Sequence, residues 1–202
     1  VGYKNAISFL DRFGYTTLDK GDFGLTLVLG GAEINLLEHT NAYATLANNG
    51  TYHEPVSILK VENPQGEVLY EWKDSPGKEV VKPELVAEIT NVLSDNNARA
   101  YEFGLNNNMV LPDRPVAAKT GTTQNTKDAW TMGYTPSIAA GVWVGNTPLP
   151  KSMNFGGNTL AGKIWNQFMR EAVKGTKPES FPKPPSNDAT KPVLRGSDGG
   201  IK

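Results

Sequence analysis

Lys119-Thr120-Gly121-Thr122-Thr123 is the run in this sequence whose residue types can do chemistry together. Lys119 supplies a positive charge that attracts a carboxylate or biases the protonation of a neighbouring group. On an extended backbone alternate side chains share a face, so Thr120 and Thr122 can offer two hydroxyls to one carboxylate. Gly121 removes a side chain where a peptide must approach closely. The backbone N–H of Thr122 can serve as one donor toward a developing oxyanion. A peptide lying along the strand would pair through its own backbone. By itself a Lys-Thr-Gly tripeptide also fits an ordinary solvated strand end, so its surroundings decide its weight.

Those surroundings are strand-like. Runs at 115–120, 128–134 and 138–144 predict an antiparallel meander, with the lysine run closing the first strand. A helix over 161–174 should pack on these strands. Leu160, Ile164, Trp165, Phe168, Met169, Ala172 and Val173 give it a broad apolar face, and Gly175 stops it. Upstream, residues 3–13 read as a short amphipathic helix ended by Gly14. The glycine-rich stretch 23–34 reads as a loop, because Gly30-Gly31 interrupts any helix. Asn35 should cap a helix from Leu36 to about Asn48, with Glu38 at the capping-box position. Residues 56–62 and 66–72 read as a hairpin about the turn Asn63-Pro64-Gln65-Gly66. Pro83 opens a helix to about Ser94. Residues 176–202 are proline-rich with few large apolar side chains, and read as an extended tail or linker after a domain over 1–175.

Composition removes several classes. The 202 residues are rich enough in apolar side chains and glycine for a packed core, which excludes a disordered chain. The net charge is −1, from 20 basic and 21 acidic residues, with no polybasic block, so no nucleic-acid partner is expected. No apolar run reaches the roughly 20 residues of a membrane span. Zero cysteines exclude disulfides, thiolate metal sites and cysteine nucleophiles. The two histidines, His39 and His53, have no carboxylate constellation beside them in sequence. No metal and no cofactor are expected.

The flanking blocks give the lysine run its specificity. Asp128-Ala129-Trp130, Gly133-Tyr134-Thr135-Pro136 and Val142-Trp143-Val144-Gly145 follow it. Leu29-Gly30-Gly31-Ala32-Glu33, Asn41-Ala42-Tyr43-Ala44-Thr45-Leu46-Ala47-Asn48-Asn49-Gly50 and Ala98-Arg99-Ala100 precede it. With these blocks the chain resembles, over about residues 1–170, the transpeptidase domain of class A penicillin-binding proteins. The resemblance implies an α/β (α+β) fold of the penicillin-binding and serine β-lactamase type, an antiparallel sheet with packed helices, here only in part. It implies peptidoglycan stem peptides ending in D-alanyl-D-alanine, and β-lactams, as ligands. It makes Lys119 the catalytic residue of the motif and Thr120, Gly121, Thr122 and Thr123 its substrate-binding residues.

The same resemblance defines what to look for elsewhere. Serine acyl enzymes of this kind combine Ser-x-x-Lys, Ser-x-Asn or Ser-Asp-Asn, and Lys-Thr-Gly. Ser-x-x-Lys strings occur at Ser57–Lys60, Ser75–Lys78 and Ser180–Lys183, none in a helical pattern. The motif needs a helix, whose spacing of three brings both side chains together. Ser94-Asp95-Asn96 spells the second motif but ends a predicted helix only 25 residues before Lys119. Ser152-Met153-Asn154 follows the lysine run, in the wrong order. No nucleophile is therefore assigned in this chain. The expectation is the C-terminal portion of a transpeptidase domain. Its partner is the missing N-terminal part of the same domain, and a glycosyltransferase domain and membrane anchor lie upstream, on the extracytoplasmic face of the bacterial cytoplasmic membrane. The isolated chain is expected to be inactive. Two alternatives stay open, a non-catalytic peptide-binding or structural module and a β-lactam-hydrolysing relative.

Overall fold

In a computed structural model, which describes residues 2–18, 21, 23–145 and 156–186, the predicted meander is a three-stranded antiparallel sheet. The elements run α1 (Tyr3–Asp11), a 3₁₀ helix (Gly24–Leu29), α2 (Leu36–Ala47), β1 (Thr51–Tyr52), β2 (Lys60–Glu62) and β3 (Val68–Glu71). They continue with β4 (Lys78–Glu79), α3 (Pro83–Ser94), α4 (Asn96–Phe103), β5 (Ala117–Thr122), β6 (Asp128–Tyr134), β7 (Ala139–Gly145) and α5 (Ala161–Ala172). The sheet order is β5-β6-β7. Lys119 lies opposite Met132, Thr120 opposite Thr131 and Gly121 opposite Trp130. The lysine run is thus part of the paired strand up to Thr122.

Two helices cover the two faces of this sheet. Trp165 and Met169 of α5 are buried with Ala118, Val116, Ala140, Met109 and Leu111. The Trp165 indole also donates to the Ala140 carbonyl at 3.0 Å. Small residues make room for it: a Cβ on Gly133 would sit 2.6 Å from the Trp165 ring. The other face meets α2, where His39 and Tyr43 lie edge-on to Trp130 and Tyr134. A second core, Phe13, Tyr15, Leu18, Ala42 and Val80, joins the segment after α1 to α2 and the residues after β4. No helix among the described residues is long and apolar enough to cross a membrane.

Several local expectations change. Residues 24–29 form a 3₁₀ helix, not a loop, and Gly30 ends it in the left-handed region at φ 82°. Asn35 caps α2 through a 2.8 Å bond from the Leu37 N–H. Glu38 does not close a capping box, because its carboxylate accepts from the Thr16 hydroxyl and N–H instead. The β2–β3 hairpin is shorter than expected and the stretch before Lys60 is irregular, so Ser57 lies outside any strand. Lys78, the lysine of the Ser75–Lys78 string, lies in β4, paired with β1. The helix α4 was not foreseen. On α5, Ile164 and Phe168 are more than half exposed, so its buried stripe is narrower than its apolar one. Beyond α5 the chain has neither helix nor strand through residue 186, yet Thr176 bonds Arg114 and the Phe181 ring lies 5.5 Å from that of Tyr134.

Candidate active site

The geometry of β5 follows from one bond. The Thr123 N–H donates to the Asp128 carbonyl at 3.1 Å, toward β6. In an antiparallel pair, backbone groups alternate between the partner and the opposite side. Gly121 and Lys119 therefore face β6, while the N–H and C=O groups of Thr120 and Thr122 face away from it. Among the described residues no strand pairs with that side of β5. Among the described residues the outward N–H of Thr122 has no hydrogen-bond partner at this edge.

Side chains alternate the other way. Ala118 packs under Trp165, so Thr120 and Thr122, at the same phase, share the α5 face. Lys119 leaves the opposite face, and its exposed ammonium returns to the edge to donate to the Thr120 carbonyl at 2.6 Å. An ammonium has three donors, so two remain for other groups. At Gly121 a Cβ would meet the Trp130 Cβ at 3.4 Å, an ordinary contact, so packing within the sheet does not itself demand glycine. Thr123 is placed differently. Its hydroxyl donates to Asp128 Oδ2 at 2.8 Å and accepts from the Asp128 N–H at 2.9 Å. Asp128 Oδ1 in turn accepts from the Trp143 indole at 3.0 Å. One carboxylate thereby ties the end of β5 to β6 and β7 beside the lysine run.

Behind the motif is an aromatic layer. His39 lies against Trp130, the residue opposite Gly121, and its Nδ1 shares a 2.6 Å hydrogen bond with the Tyr15 hydroxyl. Burial pulls the His39 pKa down to about 4, so the ring is neutral near pH 7. Burial raises the Tyr15 pKa, first of all by desolvation, so the phenol keeps its proton near pH 7. Tyr43 is likewise pushed up to about 12 by burial. His39 supports the sheet from behind. His53 lies elsewhere, lining an open cleft of about 530 Å³ under the β2–β3 hairpin that contains none of the lysine run.

The remaining serine strings stay apart from a catalytic geometry. Ser57 and Ser75 line that same cleft, with neither on a helix. Ser180 lies in the irregular segment after α5. Ser94 ends α3 and its hydroxyl donates to the Asn91 carbonyl. Asp95 caps α4 through the N–H groups of Asn97 and Ala98, and Asn96 donates to the Leu105 carbonyl. Ser152-Met153-Asn154 lies outside the described residues. Two contributors to the strand end were given no role by the sequence. Asp128 is one. The other is Gly157, whose N–H donates to the Thr122 hydroxyl at 2.9 Å. The Gly156-Gly157 doublet was the available signal, since paired glycines mark close backbone approach.

The helix–sheet–helix sandwich that carries this strand end belongs to a class, the mixed helix and antiparallel-sheet domain of penicillin-binding transpeptidases. Residues 10–170 match the family described as penicillin binding protein transpeptidase domain. Penicillin-binding protein 1A of Mycolicibacterium smegmatis is 38% identical over 170 residues, 78% of this chain and 21% of that protein. Penicillin-binding protein 1A of Aquifex aeolicus is 35% identical over 194 residues, 90% of this chain and 26% of that protein. The solved structure of PonA1 from Mycobacterium tuberculosis in complex with penicillin V superposes with a TM-score of 0.76 at 31% identity. It covers 87% of this chain and 51% of that one. The chain belongs to the penicillin-binding protein transpeptidase family. It spans about a fifth to a quarter of the length of these curated relatives.

Proposed function

We propose that residues 1–175 supply the lysine-motif part of a serine DD-transpeptidase site, with 176–202, of which 187–202 lie outside the described residues, as a tail. The nucleophilic serine and the second serine motif come from the part of the same domain that precedes this sequence in its relatives. The serine Oγ attacks the carbonyl carbon of the penultimate D-alanine of a stem peptide. The C–N bond to the terminal D-alanine breaks, and the serine proton ends on the leaving amine. The amine of a neighbouring stem then attacks the acyl-serine, an amide forms, and the serine regains a proton. A β-lactam enters the same path through its ring carbonyl; the complex of PonA1 with penicillin V supports β-lactam binding by this family.

Each residue of the run has a part in this reading. The stem peptide lies along the open edge of β5. Its terminal carboxylate meets the Thr120 and Thr122 hydroxyls and the Lys119 charge. Lys119 also biases the protonation of the second-motif serine. The Thr122 N–H is one donor of the oxyanion hole. Gly121 lets the peptide close on the strand, and Thr123 serves it through the Asp128 turn. The intact protein works at the extracytoplasmic face of the membrane, with its anchor and glycosyltransferase domain upstream. The 202-residue chain alone is inactive, for want of a nucleophile.

The observation that carries this reading is the open edge of β5, where outward backbone donors, hydroxyls and the ammonium converge. Lys119→Ala in the intact polypeptide should lower the second-order rate of benzylpenicillin acylation by about 100-fold, the lower range for loss of a proton-transfer group. Unchanged acylation would remove Lys119 from the site.

A further inference from the structure

The Thr122 hydroxyl does not stand alone on the sheet. Gly157 is buried on the α5 face, above the junction of β5 and β6. A Cβ on Gly157 would lie 2.6 Å from both the Gly121 and Trp130 carbonyl oxygens. Only glycine brings a backbone this close to two paired strands. Both ends of its residue are engaged. Its carbonyl accepts from the buried Thr131 hydroxyl at 3.1 Å and from the Gly162 N–H, in the first turn of α5, at 2.8 Å. Its N–H donates to Thr122 Oγ1 at 2.9 Å.

This bond has a directional consequence. A hydroxyl has one proton and two acceptor lone pairs. Gly157 occupies an acceptor position of Thr122 from the protein side, so the hydroxyl proton points elsewhere. Among the described residues that proton has no acceptor. Thr122 is exposed as the last residue of β5. The hydroxyl is thus biased toward donating outward. A one-way donor favours an anionic acceptor, because a bond to a charged partner is worth roughly twice a neutral one.

We infer that Gly157 is a positioning residue that holds Thr122 as an outward donor and so sets the preference of this site for ligands ending in a carboxylate over neutral ones. This deepens the transpeptidase reading and rests on it. The chain of support runs from the first turn of α5 through Gly157 to Thr122, with Thr131 bracing it from β6.

The test uses the intact polypeptide and two probes, benzylpenicillin and its neutral methyl ester. The readout is the ratio of their second-order acylation rates, which a general loss of folded protein leaves unmoved. Gly157→Ala should lower the carboxylate preference by about 10-fold, the scale of one hydrogen bond to a charged group. Thr131→Val adds no bulk and removes only the brace on the Gly157 carbonyl. It should lower the ratio by a few-fold, and it keeps the test valid should Gly157→Ala not fold. In a Thr122→Val background neither change should move the ratio further, whereas Thr122→Ser should retain the preference. A ratio unchanged in Thr131→Val and in any soluble Gly157→Ala, with normal acylation of the unsubstituted protein, overturns the role of Gly157 and leaves the transpeptidase reading standing. No acylation of the unsubstituted protein by benzylpenicillin overturns both.

Discussion

The β5–β7 sheet and the β2–β3 hairpin are both antiparallel, yet they are held in opposite ways. The sheet is covered on both faces. Met132, Thr131 and Tyr134 of β6 are fully buried, and Trp165 lies across it with its indole hydrogen-bonded. The hairpin has every residue of both strands exposed, including Val61, Val68, Leu69 and Tyr70. Its other supports are local: the Asn63 carboxamide, which accepts from the Gln65 and Glu67 N–H groups, and an exposed Lys60–Glu62 ion pair. A two-stranded ribbon without a covered face is marginal in water. The lesson concerns where chemistry can be placed. The lysine run sits on the strand whose inner edge and faces are fixed, and leaves free only the edge that a peptide would use.

That contrast can be broken most strongly from the core. Among the described residues Trp165→Ala removes the largest fully buried side chain, and with it a second donor to the Ala140 carbonyl, which also pairs with Gly133 in the sheet. A loss of about 4 kcal/mol is expected, within the range for large aromatic truncations. Hydrogen exchange should register it as lost protection across β5, β6 and β7, with the hairpin amides unchanged. Lost protection confined to α5 would mean that the helix does not stabilise the motif strand.

Next in size is acid. His39 has its pKa lowered from 6.5 to about 4 by burial against the sheet. The unfolded chain therefore binds the proton more readily than the folded one, and stability falls as pH drops from about 6.5 to about 4. The full loss is on the order of 3 kcal/mol. Protection of the Trp130 and Met132 amides should follow this curve, and a His39→Gln variant should flatten it. The smallest effect belongs to the hairpin. Tyr70→Ala on its exposed face should change the stability of the sheet by less than about 0.5 kcal/mol. A larger change would show that the hairpin and the sheet are coupled.

The sequence was legible where a single element sufficed. The alternation in β6 and β7, the proline at the start of α3 and the Asn35 cap are local signals, and each lies where it was read. The segment Asn96–Phe103 was missed because it is mostly polar and its start is marked by Asp95 alone. Residues 24–29 were missed because glycine at both ends reads as a loop, although Gly30 is the helix stop. Ile164 and Phe168 show the limit of apolar periodicity, since what decides burial is which neighbour is present. At the site, the lysine run and its phase were readable from alternation. The Asp128 knot and the Gly157 clamp were not, because both join residues that only the folded meander brings together. The docking of Phe181 on Tyr134 is another long-range contact that no local pattern announces.

The central claim is that this chain carries the lysine-motif part of an acyl-serine site whose nucleophile lies outside it. Intact mass after incubation with benzylpenicillin tests it most directly, on the 202-residue chain and on the intact polypeptide in parallel. The account predicts a stable adduct on the intact polypeptide, mapped to a serine outside these residues, and no adduct on the chain alone. An adduct on Ser57, Ser75, Ser94 or Ser180 would contradict it.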